Sequence, residues 1–299
     1  MAKRKKSKKT TYRKKNKLSG IVKSVKRFFV GISTVIACLS GLLFLYNCYF
    51  PVERAKTIEL PQENVSYISE LPQLSGKRKE QIINHEGFTV SYNADFRIAN
   101  WVAYELTANE AKSKDVQRAT KFFPDPKVKG ATATNDDYRR SGYDRGHLVP
   151  AGDMRWSEEG MHASFYFSNI CPQNRELNAG LWNDIEKQCR KWAISYGELL
   201  IITGPVIDDA MNRLGKNRVG VPDMFYKVVC STKNNAFKSI GFLVENRGYK
   251  DRSFRQVAVP VDSVEQVTGI RFFTSLPIDI QQEMKATIDW KFWKSGKLN

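Results

Sequence analysis

Apolar residues follow two different patterns along the chain. Residues 28–50 form an unbroken run with no charged side chain. As a helix rising ~1.5 Å per residue the run would measure about 34 Å, and a bilayer core is roughly 30 Å thick, so one transmembrane helix is predicted here. Residues 51–80 are polar, carry Pro51, Pro61 and Pro72, and read as a stalk or linker. Beyond them the pattern is that of a folded domain. Gly87–Tyr92 and Asn100–Thr107 alternate with period two and are predicted to pair as strands. Residues 108–140 are highly charged, contain Pro124 and Pro126, and read as an irregular surface loop. Arg145–Val149 is predicted extended, Gly160–Ala163 a short helix or turn, and Phe165–Ser168 a short strand. Leu181, Trp182, Ile185, Cys189, Trp192 and Ala193 recur at helical spacing, predicting a helix from Leu177 to Tyr196 that stops at Gly197. Glu198–Thr203 reads as a buried strand, and Phe225–Cys230 with Ala236–Val244 as a hairpin turning around Lys233 to Asn235. A strand and a short helix near Val261–Val267 follow, then a helix from Ile278 to Trp293. Strands and helices do not alternate regularly, so the fold class is α+β with a mixed or antiparallel sheet core.

Charge changes the picture at the N-terminus. Of the formal net charge of +17, thirteen Lys/Arg with no Asp/Glu fall in residues 1–27, leaving +4 for the rest. A basic flank beside an apolar span sets orientation: the tail stays cytoplasmic and everything after Phe50 lies outside. A nucleic-acid or targeting role for the tail is the alternative. The predicted organisation is therefore a basic cytoplasmic tail (1–27), a transmembrane signal anchor (28–50), a linker (51–80) and one domain (81–299). The expected location is the cell membrane, single-pass, with that domain extracytoplasmic. A rival places a lipoprotein cleavage box at Val35–Cys38, but the apolar residues continue to Phe50. Outside that run Cys171, Cys189 and Cys230 show no metal-binding spacing, and buried thiols are the plain reading.

Residues 138–190 concentrate the candidate chemistry. The chain has three histidines, and an imidazole is the most economical general base near neutral pH. His147 follows Gly146, which permits close backbone approach, and Arg145, whose guanidinium suits a phosphate. His85 and His162 read as structural. Asn178, at the first turn of the predicted helix, is either an N-cap or an oxygen ligand for a hard cation that keeps most of its waters. Asn178, Trp182, Glu186 and Arg190 are spaced by four and form one slowly turning stripe. Glu186 and Arg190 either make an ordinary i,i+4 ion pair or face a site.

Several ordered motifs then carry a resemblance: Asp144-Arg145-Gly146-His147, Ser168-Asn169-Ile170 with Pro172-Gln173, and Asn178 with Trp182 and Glu186. Trp101–Thr107 upstream, and Thr203-Gly204-Pro205 and Thr268–Phe273 downstream, extend it over roughly residues 84–294. The sequence resembles the DNA/RNA non-specific endonuclease family, whose active site is a ββα-metal finger. The resemblance implies that His147 is the general base, Asn178 the one direct Mg²⁺ ligand (Mn²⁺ as an alternative) and Glu186 a holder of metal-bound water. It implies Arg145 and Arg190 as phosphate or transition-state contacts and Asn169 as a support. Some members use a further upstream arginine, for which Arg139 and Arg140 are the candidates. The implied partners are DNA and RNA substrates, with the membrane met through residues 28–50 and a homodimer as a further expectation. The implied reaction is Mg²⁺-dependent hydrolysis of DNA and RNA to 5′-phosphate products. Two other readings differ in class: a membrane-tethered, non-catalytic nucleic-acid-binding or uptake protein, and a phosphodiesterase for small phosphodiesters.

Overall fold

Four consecutive apolar residues, Leu199 to Ile202, are buried together only if both faces of their strand are covered, because successive side chains point to opposite faces. The computed structural model, which describes residues 71–294 apart from Lys77 and residues 234–235, shows how this is met. The sheet strands are β1 (Gln81–His85), β2 (Phe88–Asn93), β3 (Ile98–Thr107), β6 (Glu198–Pro205), β7 (Met224–Ser231), β8 (Lys238–Glu245) and β9 (Ala258–Val259). Strands β4 (Tyr143–His147) and β5 (Ile170–Asn174) stand apart as a separate pair. The large sheet runs β9-β8-β7-β6-β3-β2-β1, with every pairing antiparallel.

Leu199 and Ile201 enter one core, with Val102, Leu106, Phe225 and Val229, beneath helix α1 (Asn183–Tyr196). Leu200 and Ile202 enter a second, with Trp101, Ala103, Tyr226 and Val228. The second is closed by Val261 and Val264 of α2 (Val261–Thr268) and Met284 of α3 (Ile278–Ala286). Both faces being dry explains why this strand reads as a continuous apolar run. Central strands β3 and β6 are hydrogen-bonded neighbours, Val102 opposite Thr203 and Thr107 opposite Glu198. The chain between them, residues 108–197, is thus an excursion that leaves one central strand and returns beside it. Every candidate site residue lies on this excursion. Its return is fixed by α1, which ends at Gly197 with φ 98°, a left-handed conformation open to glycine.

The structure departs from the sequence reading in several places, among them short helices at Ala108–Lys112 and Asn135–Tyr138 within the stretch read as an irregular loop. The strand expected at Phe165–Ser168 is instead a turn ending in a 3₁₀ segment, Phe167–Asn169, and the strand begins at Ile170. Ser168 and Asn169 spend their side chains on Asp125, Val149 and Ser164. The helix from Leu177 is interrupted by a wide π-type turn, Asn178–Trp182, in which Gly180 has non-helical angles. The last helix divides at extended Thr287 into α3 and a short helix, Trp290–Lys294. Finally, Gln73–Leu74, within the stretch read as linker, pairs antiparallel with Ile270–Arg271. The paired strands around residues 87–107 and the hairpin of β7 and β8 form as expected. The predicted membrane span, residues 28–50, lies outside the described residues, among which no helix is long and apolar enough to cross a membrane.

Ile201 is 0% exposed at the centre of the sheet, whereas Ile82 on edge strand β1 is 43% exposed. Ile201→Ala is expected to cost about 2–5 kcal/mol of unfolding free energy, from lost transfer energy plus a cavity. Ile82→Ala is expected to cost less than about 1 kcal/mol. Urea unfolding of the two variants checks the contrast.

Candidate active site

The site is built on two strands and a helix. In the β4–β5 pair, Arg145 lies opposite Pro172, Gly146 opposite Cys171 and His147 opposite Ile170. Gly146 is required sterically: a Cβ there would collide with the side chain of Gln173. Past β5, Asn174 caps the next helical turn, its side chain accepting from the backbone N–H of Glu176 and Leu177 at 2.9 and 3.1 Å. The cap is therefore Asn174, and Asn178 is released from that duty. The Nδ2 of Asn178 donates to Asp144 Oδ2 at 3.0 Å, which fixes the amide and leaves its Oδ1 as the free lone-pair donor.

His147, Asn178, Glu186 and Arg190 come together around one cavity of about 300 Å³, which Arg118 and Asn183 also line. His147 is 8% exposed, and its Nε2 has no hydrogen-bond partner among the described residues. Its ring stands edge-on to Phe165, 4.7 Å between centroids, and tilted against Phe122 at 5.5 Å. Burial, reinforced by the charge of Arg118, pushes the imidazole down to about 3, so it is neutral at working pH. A neutral ring has a nitrogen ready to accept a proton.

The choice between an i,i+4 ion pair and a site-facing pair resolves toward the cavity. Arg190 pairs with Asp153, which is 0% exposed and also accepts from the hydroxyl of Tyr104 at 2.8 Å. Glu186 makes no ion pair with Arg190. Burial pushes Glu186 up to about 7; Lys227 opposes this most, Asp153 adds to it, and Arg190 and Arg118 oppose it. Asn169 sits beside the site without lining it. Fully buried, it accepts from Val149 N–H at 2.9 Å and donates to the Val149 and Ser164 carbonyls at 3.0 and 2.8 Å, bracing the chain just beyond His147. Arg145 is held by Asn135 Oδ1 at 2.7 Å over the ring of Phe122, and it lines a neighbouring cavity of about 280 Å³ with Arg139 and Asp144.

Sequence reasoning missed two residues. Arg118, from the charged loop, reaches the His147 cavity and lies over the Phe165 ring at 5.3 Å. Neither Arg139 nor Arg140 lines it; Arg139 pairs with exposed Asp136 at 2.8 Å. Asp153, in Ala-Gly-Asp after Pro150, holds Arg190. No periodicity marks either one, since both act through tertiary contacts. His85 is engaged with Asp125 at 2.9 Å and His162 stacks on Phe123, the structural roles expected of them.

Among the described residues no group of three or more His, Cys, Asp or Glu could hold a metal ion. The donors present, one oriented amide oxygen and one nearby carboxylate, suit a hard cation that retains most of its water shell.

Comparison with known proteins assigns the chain a family. Residues 70–279 match the family described as DNA/RNA non-specific endonuclease. The mitochondrial nuclease EXOG of Danio rerio is 35% identical over 84% of this chain and 75% of its own length. Human mitochondrial endonuclease G is 32% identical over 66% of this chain and 70% of its own. The solved EndoG/EndoGI complex, described as showing the mechanism of EndoG inhibition, aligns at TM-score 0.66 and 28% identity, covering 76% of this chain and 97% of that one. These relatives correct the localisation expected from the sequence. They are named as mitochondrial nucleases, which does not support a cell-membrane protein with an extracytoplasmic domain. With the fold, the ordered motifs and the match over residues 70–279 in agreement, the chain belongs to the DNA/RNA non-specific endonuclease family and is a nuclease.

Proposed function

We propose that the chain is a divalent-cation-dependent, sugar-non-specific endonuclease in which His147 is the general base and Asn178 the cation ligand. The observation that carries this reading is the shared cavity: a neutral, buried imidazole, an amide oxygen freed by Asp144, and two guanidinium groups around one space. His147 takes a proton from a water molecule, which attacks phosphorus in line with the departing 3′ oxygen. Arg118 and Arg190 face the phosphate, where negative charge grows as the new bond forms, and Asp153 keeps Arg190 in place. A hard divalent cation held at Asn178 Oδ1, Mg²⁺ or Mn²⁺, would supply charge neutralisation at a non-bridging phosphate oxygen and at the leaving oxygen. Glu186, which lines the same cavity, would accept hydrogen bonds from that cation's water. The products carry 5′-phosphates. None of these groups requires a base edge or a 2′-hydroxyl, so DNA and RNA are both substrates, with little sequence preference. Residues 81–299 supply the whole set.

Plasmid and RNA digestion by the full chain, with and without EDTA, tests the reading. His147→Ala is expected to lower the rate by about 10²–10⁴-fold, the usual contribution of a general base. Asp144→Ala, which removes the acceptor for the Asn178 amide, is expected to raise the Mg²⁺ concentration for half-maximal rate by about 10–100-fold, and Asn178→Ala by at least as much. Near wild-type, EDTA-sensitive cleavage by His147→Ala or Asn178→Ala would falsify the role assignments.

The pH dependence has a definite sign. Because burial holds His147 near 3, its protonation does not shape the profile around neutrality. Glu186, pushed up to about 7, gains its proton as pH falls through that value, and activity is lost on the acidic side. The expected profile of kcat/KM therefore has its acidic limb near 7, with NMR expected to show His147 neutral across that limb. A limb near the ordinary imidazole value of ~6.5 that tracks the His147 ring signal counts against it.

A further inference from the structure

Asn178 opens a turn that departs from regular helix. Residues Asn178–Trp182 wind as a wide π-type turn, and Gly180 within it has φ −102° and ψ −116°, outside the helical range. A single π-type turn is a rare local break in a helix. A side chain that must meet a cation from such a turn has to be held to within about 0.5 Å by contacts from elsewhere in the fold.

The loop that follows β8 supplies contacts of this kind at three successive points. Asn246 comes first. Its Oδ1 accepts from the Asn174 N–H at 2.7 Å, and its Nδ2 donates to the carbonyls of Pro172 and Pro222 at 3.1 and 2.8 Å. Gly248 comes next, passing so near Glu176 that a Cβ there would collide with that side chain. Arg252 is last. Its Nε donates to Asp184 Oδ2 at 2.6 Å and its Nη2 to the Gly180 carbonyl at 3.4 Å. Residues 246, 248 and 252 thus meet 172–174, 176 and 180–184 in the same order, and the loop runs alongside the chain on both sides of Asn178. The loop is itself anchored: the Asn246 N–H donates to the Asp223 carbonyl at 2.7 Å, and the Tyr249 hydroxyl accepts from the Glu245 N–H at 2.9 Å. None of the three residues lines the cavity that holds His147 and Asn178, so they act on it through the segment they grip.

Building on the function proposed above, we propose that Asn246 and Arg252 are positioning residues: the loop after β8 is a clasp that fixes the turn bearing Asn178 and so sets where its Oδ1 meets the cation. Arg252 reports on this most directly, because it touches the π-type turn itself at Gly180. Its ion pair with Asp184 is open to solvent, with 49% of the arginine side chain exposed, and such a pair adds little to stability. Its loss therefore moves the Asn178 amide while the domain stays folded.

The test uses the full chain as wild type, Arg252→Ala, Arg252→Gln and Lys250→Ala, the last at an exposed residue of the same loop. Asn178→Ala identifies the Asn178 side-chain amide signal in NMR spectra of the metal-free protein. Both Arg252 variants are expected to keep Tm within about 3 °C of wild type and to shift that amide signal. They are expected to bind Mn²⁺, followed by electron paramagnetic resonance, about tenfold more weakly. Plasmid cleavage is expected to need about tenfold more Mg²⁺ for half-maximal rate, with the rate at saturating Mg²⁺ within about twofold of wild type. Lys250→Ala is expected to match wild type in every measurement. An unmoved amide signal, an unmoved Mn²⁺ affinity or an equal loss in Lys250→Ala overturns the proposal. A larger fall in Tm in both Arg252 variants also overturns it, because the contact would then serve stability. If wild type neither cleaves nor binds Mn²⁺, the cation role of Asn178 fails, and the amide signal of the metal-free protein decides the clasp by itself.

Discussion

The ion pair between Arg190 and fully buried Asp153 ties together three parts of the chain that are remote in sequence. Tyr104 reaches it from β3, Asp153 from the turn that follows His147, and Arg190 from the helix that returns to the sheet. A carboxylate with no solvent exposure is tolerable only with full compensation, and removal of one partner from such a pair leaves an uncompensated charge. The approach is tight as well: a Cβ at Gly152 would come 3.0 Å from Arg190 Nη1. This contact joins the turn after β4 to α1, the two parts of the chain that carry His147 and Glu186 to the cavity.

Around that anchor the site is an exercise in charge held at low dielectric. Arg118, Arg190 and Lys227 bring positive charge to Glu186 and Asp153, while the histidine stays neutral because water is kept from it by Phe165 and Phe122. A cationic pocket draws in a polyanion, and a neutral imidazole inside it keeps its capacity to take a proton. Arg118, proposed to face the phosphate, also adds to the effect of burial in lowering the basicity of His147, which keeps the ring unprotonated.

Much of this was legible in the chain. The period-two stretches near residues 87–107 marked strands, although both faces of β3 are buried, while the unbroken run at 199–202 reported its two covered faces directly, since the burial of consecutive side chains writes itself into residue order. Asp144 to His147 and the spacing of Asn178, Glu186 and Arg190 marked the site as well. What misled was local ambiguity. Asn178 has good capping chemistry, yet Asn174 does the capping. Glu186 and Arg190 have helical ion-pair spacing, yet Arg190 turns to Asp153. The π-type turn at Asn178–Trp182 also escaped the helical pattern, because a single glycine is a weak signal of a widened turn.

The sequence by itself determined which elements form, the fold class, and the cluster of residues around His147 and Asn178. These follow from side-chain periodicity and from motifs confined to short spans, where neighbours in the chain are neighbours in space. Only the tertiary structure decided that Arg118 and not Arg139 or Arg140 reaches the cavity, that Asp153 holds Arg190, and that buried Lys227 lies over the Trp182 ring. Each depends on segments brought together by the pairing of β3 with β6 across the long excursion. A charged residue is recognisable in a sequence, but its partner is chosen by the dielectric and distances that folding creates.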